Sequence, residues 1–241
     1  MRPLVQPAWL VARRPYQDSG LIIEFFSLEM GRFSAVARGA HRRHRGGSLA
    51  SLLQPFTPLL VSVSGSTELK SLRSVESASA GYRYSQKTTL CASYLNELLV
   101  RLLPRFDPHP TLLANYGDAL AALGEGDTES ILRRFESQLL SDLGYDVVWH
   151  CDGDGVVIDP DGWYRFAGGS LFMPSDVSAQ AYAGTDLLAI DQWLRAESAL
   201  SPTQWQLLKT VNRAALAVHL GERPLQSRLL AEQLLSGTGG S

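Results

Sequence analysis

The sequence predicts an α+β protein, a small closed β-barrel followed by helices, and three observations predict it. Residues 1–80 fall into short runs of β-branched, aromatic and other apolar side chains separated by turn residues. From about residue 86 the apolar spacing changes to three and four, the period of a helix. Residues 145–174 return briefly to strand character before helical spacing resumes.

The strands come first. "AWLVARRPY" (8–16), "LIIEFFSLE" (21–29), "RFSAVARG" (32–39), "PFTPLLVSVS" (55–64) and "TELKSLRSVES" (67–77) read as five, with turns at Asp18-Ser19-Gly20, Met30-Gly31, Gly46-Gly47 and Gly65-Ser66. In the last run Leu69, Leu72 and Val75 are the apolar positions, and the slip in their alternation calls for a bulge. Five short strands in under 80 residues suggest a barrel. An OB-type barrel fits best, with an SH3-like barrel as the alternative.

The helices follow. "TTLCASYLNELLVRLL" places Leu90, Tyr94, Leu95, Leu98, Leu99 and Leu102 on one face, and Pro104 stops it. "TLLANYGDALAAL" (111–123) is the next, ended by Gly124-Glu125-Gly126. In "DTESILRRFESQLLSDLGY" Asp127 is the N-cap, Ile131, Phe135, Leu139 and Leu143 form the stripe, and Gly144 is the C′ residue. Residues 145–174 carry three Gly-rich turn clusters and read as a small β meander. Residues 185–197, 201–221 and 224–235 are helical again. The middle one has Ser201, Pro202 and Gln204 as cap, first-turn proline and capping-box partner. The expected division is a barrel domain at 1–80, a helical domain at 81–144 and 178–236, a β insert at 145–177 and a flexible tail at 237–241.

Charge is divided unevenly. Residues 1–87 carry 12 Lys+Arg against 5 Asp+Glu, a formal +7; residues 88–241 carry 10 against 19, a formal −9; the whole is −2. The basic half is the candidate for a polyanion. Its densest stretch, "GRFSAVARGAHRRHRGG" (31–47), holds Arg32, Arg38, Arg42, Arg43 and Arg45 with two histidines and no acid. Such charges repel unless phosphates or counterions lie between them. Nucleic acid supplies phosphates, and counterion release drives its binding. Arg13, Arg14, Lys70 and Arg73 fall on neighbouring strands and extend the candidate site. The alternative is a solvated loop with no partner.

Other chemistries find little support. No run of eighteen apolar residues and no signal-peptide pattern is present, so a cytoplasmic protein is expected. Cys91 and Cys151 lack paired spacing and read as reduced thiols. "HCDGDGVVID" (150–159) has two aspartates but neither the third oxygen ligand nor the distal Glu of a calcium loop, and adjacent His150 and Cys151 are not zinc spacing; hairpin turns account for the Asp-Gly pairs. No nucleophile elbow, phosphate-binding loop or H-E-x-x-H motif occurs, so no catalytic constellation, cofactor or metal site is expected.

The sequence resembles the RecO family of bacterial recombination mediators. The resemblance covers nearly the whole chain and rests on "YQDSGLIIEFFSLEMGRFSAVARGAHR" (16–42), "LLQPFTPLLVSVSG" (52–65), "ELKSLRSVE" (68–76), "YLNELLVRLLPR" (94–105), "ILRRFESQLLSDLGY" (131–145) and "LGERPLQSRLLAEQL" (220–234). It implies an N-terminal OB domain, a helical domain and a zinc-finger-like insert. It implies binding of single- and double-stranded DNA, annealing of complementary strands, partnership with RecR, and help in loading RecA onto DNA coated with single-strand DNA-binding protein. It carries DNA contact onto the arginine run. It also places the acidic, Phe-ending tail of single-strand DNA-binding protein at "LRRFE", with Arg133 the first choice and Arg134 the second. A local pair such as Arg133 with Glu129 is the alternative. Some members hold zinc with four insert cysteines; only Cys151 stands in 145–175 here. A metal-free insert held by Val147, Trp149, Val157, Trp163, Phe166 and Phe172 is therefore expected.

Overall fold

The computed structural model describes residues 5–44, 47–196 and 198–237. β1 (Val5–Tyr16), β2 (Gly20–Ser27) and β3 (Gly31–Ala37) form two successive antiparallel pairs. In the loop after them β4 (Arg43–His44) pairs with β5 (Gly47–Ser48), and the single turn α1 (Leu49–Leu52) follows. β6 (Pro58–Ser64) and β7 (Leu69–Ser77) complete a closed barrel in the order β1-β2-β3-β7-β6, with β6 returning to β1. β3 and β7 run parallel and every other barrel pair is antiparallel. This is the OB-type α+β arrangement rather than the SH3-like alternative.

Closure needs strongly coiled strands, and two bulges supply the coil. Leu10 faces Phe25 while Ala12 faces Glu24, leaving Val11 as the extra residue of β1. Ser62 faces Ser74 while Val63 faces Leu72, leaving Arg73 as the extra residue of β7. The second bulge is the slip visible in the sequence. It also shifts the strand's phase, so Leu69 is exposed whereas Leu72 and Val75 pack on the core. Leu10, Ile23, Phe25, Phe33, Leu59 and Val61 fill the barrel, and Ala50 and Leu53 close it from the α1 turn.

The helices begin with α2 (Gln86–Leu102), whose N-cap Ser85 accepts from the Thr88 N–H, and α3 (Pro110–Leu123). α4 (Thr128–Asp142) starts where Asp127 accepts from the N–H groups of Glu129 and Ser130, and the chain leaves it through Gly144 at φ +78°. The insert contributes β8 (Trp163–Phe166), β9 (Phe172–Pro174) and β10 (Tyr182–Ala183). Their order is β10-β8-β9, so β8 is central and the insert is not a simple meander. α5 (Gly184–Ala196), α6 (Pro202–Leu220) and α7 (Gln226–Gly237) follow, α6 opening on the Ser201–Gln204 capping box.

The chain forms two compact units, Met1–Ile131 with Arg223–Ser241, and Leu132–Glu222. In the first, the segment after α2 is stitched to the barrel. Phe106 N–H donates to the Arg32 carbonyl at 2.9 Å. A Cβ on Gly31, at φ +61°, would collide with the Asp107 backbone, so this close approach requires glycine. α7 is held in the same unit by Glu97, which accepts from the N–H groups of Gln226 and Ser227 at 2.8 and 2.9 Å and from the Ser227 hydroxyl at 2.7 Å.

The second unit has its own core. Trp149 and Phe172 are buried there, and Val147 and Phe166 pack against it, as expected. Val157 and Trp163 do not: they are 71% and 37% exposed, and their neighbours Ile158 and Tyr164 take the inward positions. Asp152 decides this phase. One of its carboxylate oxygens accepts from the Asp154 and Val156 N–H groups at 3.0 and 2.9 Å, closing a turn that sets Cys151 opposite Val157 and turns Ile158 inward. In a Val-Val-Ile run alternation cannot choose the inward member; the turn chooses it.

Candidate nucleic-acid interface

The cations near the ends of β1 and β3 gather into two recesses on the barrel. Arg13, Arg14 and His41, with Pro15, Ser48 and Gln54 among its other walls, line the first. Arg13 is also structural: its guanidinium donates to the Leu53 carbonyl at 2.6 Å, serving a group that the short α1 turn leaves unpaired. Arg38 and Lys70 line the second recess with Tyr16, Gln17, Thr67 and Ser71. Lys70 lies opposite Ala35 in the parallel pair, donates to the Gly65 carbonyl at 3.2 Å and stands 5.1 Å over the Phe106 ring. The residues Arg14 to Gln17 run from one recess to the other.

Arg14, Arg38 and Arg42 are exposed, and neither they nor Lys70 make an ion pair among the described residues. A turn in which the Arg42 N–H donates to the Gly39 carbonyl presents Arg42 at the start of the β4–β5 ribbon. Arg43 lies on β4 with its backbone opposite Ser48. Arg45 lies outside the described residues.

Two of the candidate cations differ, Arg32 of the run and Arg73 of β7. Arg32 is half-buried. Its Nε donates to the Leu103 carbonyl at 2.9 Å and its Nη1 lies 3.3 Å from Glu24, which also holds Arg105 at 3.1 Å. Burial pulls the Arg32 guanidinium below its ordinary pKa, while Glu24 pulls it back up. Its charge is already matched. Arg73 is exposed but lies in neither recess, where its position on the bulge turns its Nε to the Ser64 hydroxyl. Nothing in the local composition separates these two from the other candidate cations; only the partner Glu24 and the bulge do.

A third recess in the same unit is lined by Phe56, Gly81, Tyr82, Arg83 and Tyr84, and shares Ser51 and Gln54 with the first. Residues 78–85 fall between the last strand and the first helix that the sequence predicts, and the aromatic-basic alternation Tyr82-Arg83-Tyr84 is the signal there that points to this recess.

Arg133 and Arg134 lie in the second unit on α4. Arg133 is 3% exposed and pairs with fully buried Glu136 at 2.9 Å. Asn212 donates to the Arg133 carbonyl at 3.2 Å and to Glu136 at 3.3 Å. Arg134 is half-buried, its guanidinium 4.5 Å over the Trp193 ring and donating to the Trp193 carbonyl at 3.4 Å. No helix among the described residues is long and apolar enough to cross a membrane, and no three His, Cys, Asp or Glu among them gather as metal ligands would.

The family model of the Recombination protein O N terminal matches residues 1–80, and that of the Recombination protein O C terminal matches residues 83–229. Several proteins named DNA repair protein RecO are similar over nearly their full length. That of Alkalilimnicola ehrlichii is 42% identical over 97% of this chain and 92% of its own. Those of Methylococcus capsulatus and Aliivibrio fischeri are 38% and 37% identical, over 95% and 94% of this chain and 93% and 94% of theirs.

Proposed function

Since the chain belongs to the RecO family, we propose that it is a DNA-repair and recombination mediator that binds single- and double-stranded DNA on the barrel and anneals complementary strands. The observation that carries this is the set of cations that make no ion pair among the described residues, exposed Arg14, Arg38 and Arg42 with half-buried Lys70, on a protein whose net charge is only −2. Phosphates of two strands brought to this face are neutralised together, their mutual repulsion falls, and complementary bases can meet. No bond is made or broken, and the protein acts in the cytoplasm on the nucleoid without catalysis or cofactor. We assign the barrel to 1–80, with Arg13, Arg14, Arg38, Arg42, Arg43, Arg45 and Lys70 as the phosphate contacts. Arg32 and Arg73 are secondary, because Arg32 is half-buried with its charge matched by Glu24 and Arg73 lines neither recess.

We also assign to α4 the capture of the acidic tail of single-strand DNA-binding protein, and to the chain partnership with RecR in loading RecA. Arg134 takes first place over Arg133 for the tail carboxylate, since a ligand must reach the guanidinium and Arg133 is 3% exposed against Glu136. Tethering to coated DNA raises the local concentration at which a second strand enters.

The test is annealing of labelled complementary oligonucleotides coated with single-strand DNA-binding protein, comparing wild type with Arg42→Glu/Arg43→Glu/Arg45→Glu and with Arg14→Glu/Arg38→Glu. Annealing by wild type and its loss in both variants is the expected result. Equal annealing by all three places the DNA contact elsewhere. Failure of wild type removes the annealing reading.

A further inference from the structure

We propose that Trp9, Tyr82 and Tyr84 form a base-stacking platform and that the recess beside them takes an unpaired base of single-stranded DNA. The proposal rests on the DNA-binding reading above and deepens it. Trp9 and Tyr82 stand 6.3 Å apart between ring centroids and within 18° of parallel; Tyr82 and Tyr84 stand 6.0 Å apart and within 12°. The outer two rings are anchored. Tyr84 donates to the Leu120 carbonyl at 2.5 Å and meets Phe56 edge-on at 5.6 Å. Trp9 meets Tyr116 edge-on at 5.6 Å. Tyr82, between them, is 37% exposed, and its N–H donates to the Phe56 carbonyl at 2.9 Å.

The bland alternative is a packed seam between barrel and helices, and for Trp9 and Tyr84 packing is part of the role. Tyr82 differs in lining an open recess: it is 37% exposed there beside Phe56, Tyr84 and Arg83, and Arg83 is exposed and makes no ion pair among the described residues. The rings also lie beside the proposed phosphate track. Ser51 and Gln54 line both this recess and the one holding Arg13, Arg14 and His41. A strand whose phosphates lie on those arginines can turn a base across Ser51 and Gln54 toward Tyr82. A duplex cannot, because both faces of its bases are already stacked; an unpaired base offers a face to the ring. The platform thus selects single strands, while the cations serve both forms.

Fluorescence anisotropy tests this with an oligo-dT strand and a blunt duplex of equal length, each over a salt series. Loss of one stacked base predicts that Tyr82→Ala weakens oligo-dT binding roughly five- to hundredfold. Duplex affinity stays within about twofold, and the salt slope is unchanged because no phosphate contact is lost. Tyr82→Phe, which keeps the ring, retains oligo-dT binding within about twofold. The platform is overturned if Tyr82→Ala leaves oligo-dT affinity intact, if it lowers both forms equally, or if Tyr82→Phe falls as far as Tyr82→Ala. Wild type binding DNA with no effect of Tyr82→Ala removes the platform alone; wild type binding no DNA removes the DNA reading with it.

Discussion

The barrel and the helical unit handle positive charge in opposite ways. Around the barrel, Arg14, Arg38 and Arg42 are exposed and make no ion pair among the described residues. In Leu132–Glu222, Arg133 is buried against Glu136 and Asn212. The difference teaches that a cation's neighbours, not its place in a basic stretch, decide whether it can take a ligand. Arg32 makes the point within the run itself: it belongs to the basic stretch by sequence and to the Arg133 class by structure, matched by Glu24.

The comparison breaks most visibly at Arg133. Arg133→Ala leaves Glu136 charged and buried, and should cost about 3–5 kcal/mol in urea denaturation. A loss under about 1 kcal/mol would mean the pair is solvated and Arg133 accessible after all. Next comes Arg32→Gln, which strips Glu24 and the Leu103 carbonyl of a charged donor. It should cost about 1.5–3 kcal/mol of stability while leaving the salt slope of DNA binding unaltered. A shallower slope with unchanged stability would move Arg32 back among the phosphate contacts.

Glu97 shows an acid committed to structure in the same way. Burial alone would raise its pKa, but the N–H groups of Ser227 and Gln226, the Ser227 hydroxyl and the charge of Arg101 outweigh that and hold it below 4.5. A depressed folded-state pKa contributes stability that is present above the unfolded value and lost as pH falls through the folded one. α7 should therefore loosen below about pH 4.5, read by hydrogen exchange of its amides. Glu97→Gln should cost about 1 kcal/mol at pH 7, reduced by partial exposure, and flatten that acid dependence. The smallest effect is at the exposed extreme. Arg38→Gln should reduce the salt slope on single strands by about 0.7 and leave the melting temperature unchanged.

Much of the fold was legible before any coordinates. The five strand runs, the capping box at Ser201–Gln204, the cap at Asp127 and the bulge in β7 are local signals, set by residues within a few positions of one another. The candidate site was legible only in outline. Arg13, Arg14, Arg38 and Lys70 line neighbouring recesses and Arg42 follows His41 of the first, whereas Arg32 pairs with Glu24 and Arg73 turns to Ser64 on the bulge, placements no window of sequence contains. Tyr82 lies between strand and helix, where no periodicity marks a residue that lines a recess.

By itself, then, the sequence determined the order and kind of the five barrel strands and the long helices, the division of charge between the halves and the family, since these rest on composition, spacing and local caps. Only tertiary structure decided which arginines keep their charge available, which member of Val157-Ile158 faces inward, and that Tyr82 sits between two anchored rings. Each of those outcomes depends on a partner distant in the chain, such as Leu103 for Arg32 or Trp9 for Tyr82, or on the phase set by a turn, as Asp152 does for Ile158. Electrostatic matching and aromatic stacking act over a few ångströms in space, whatever the separation along the chain.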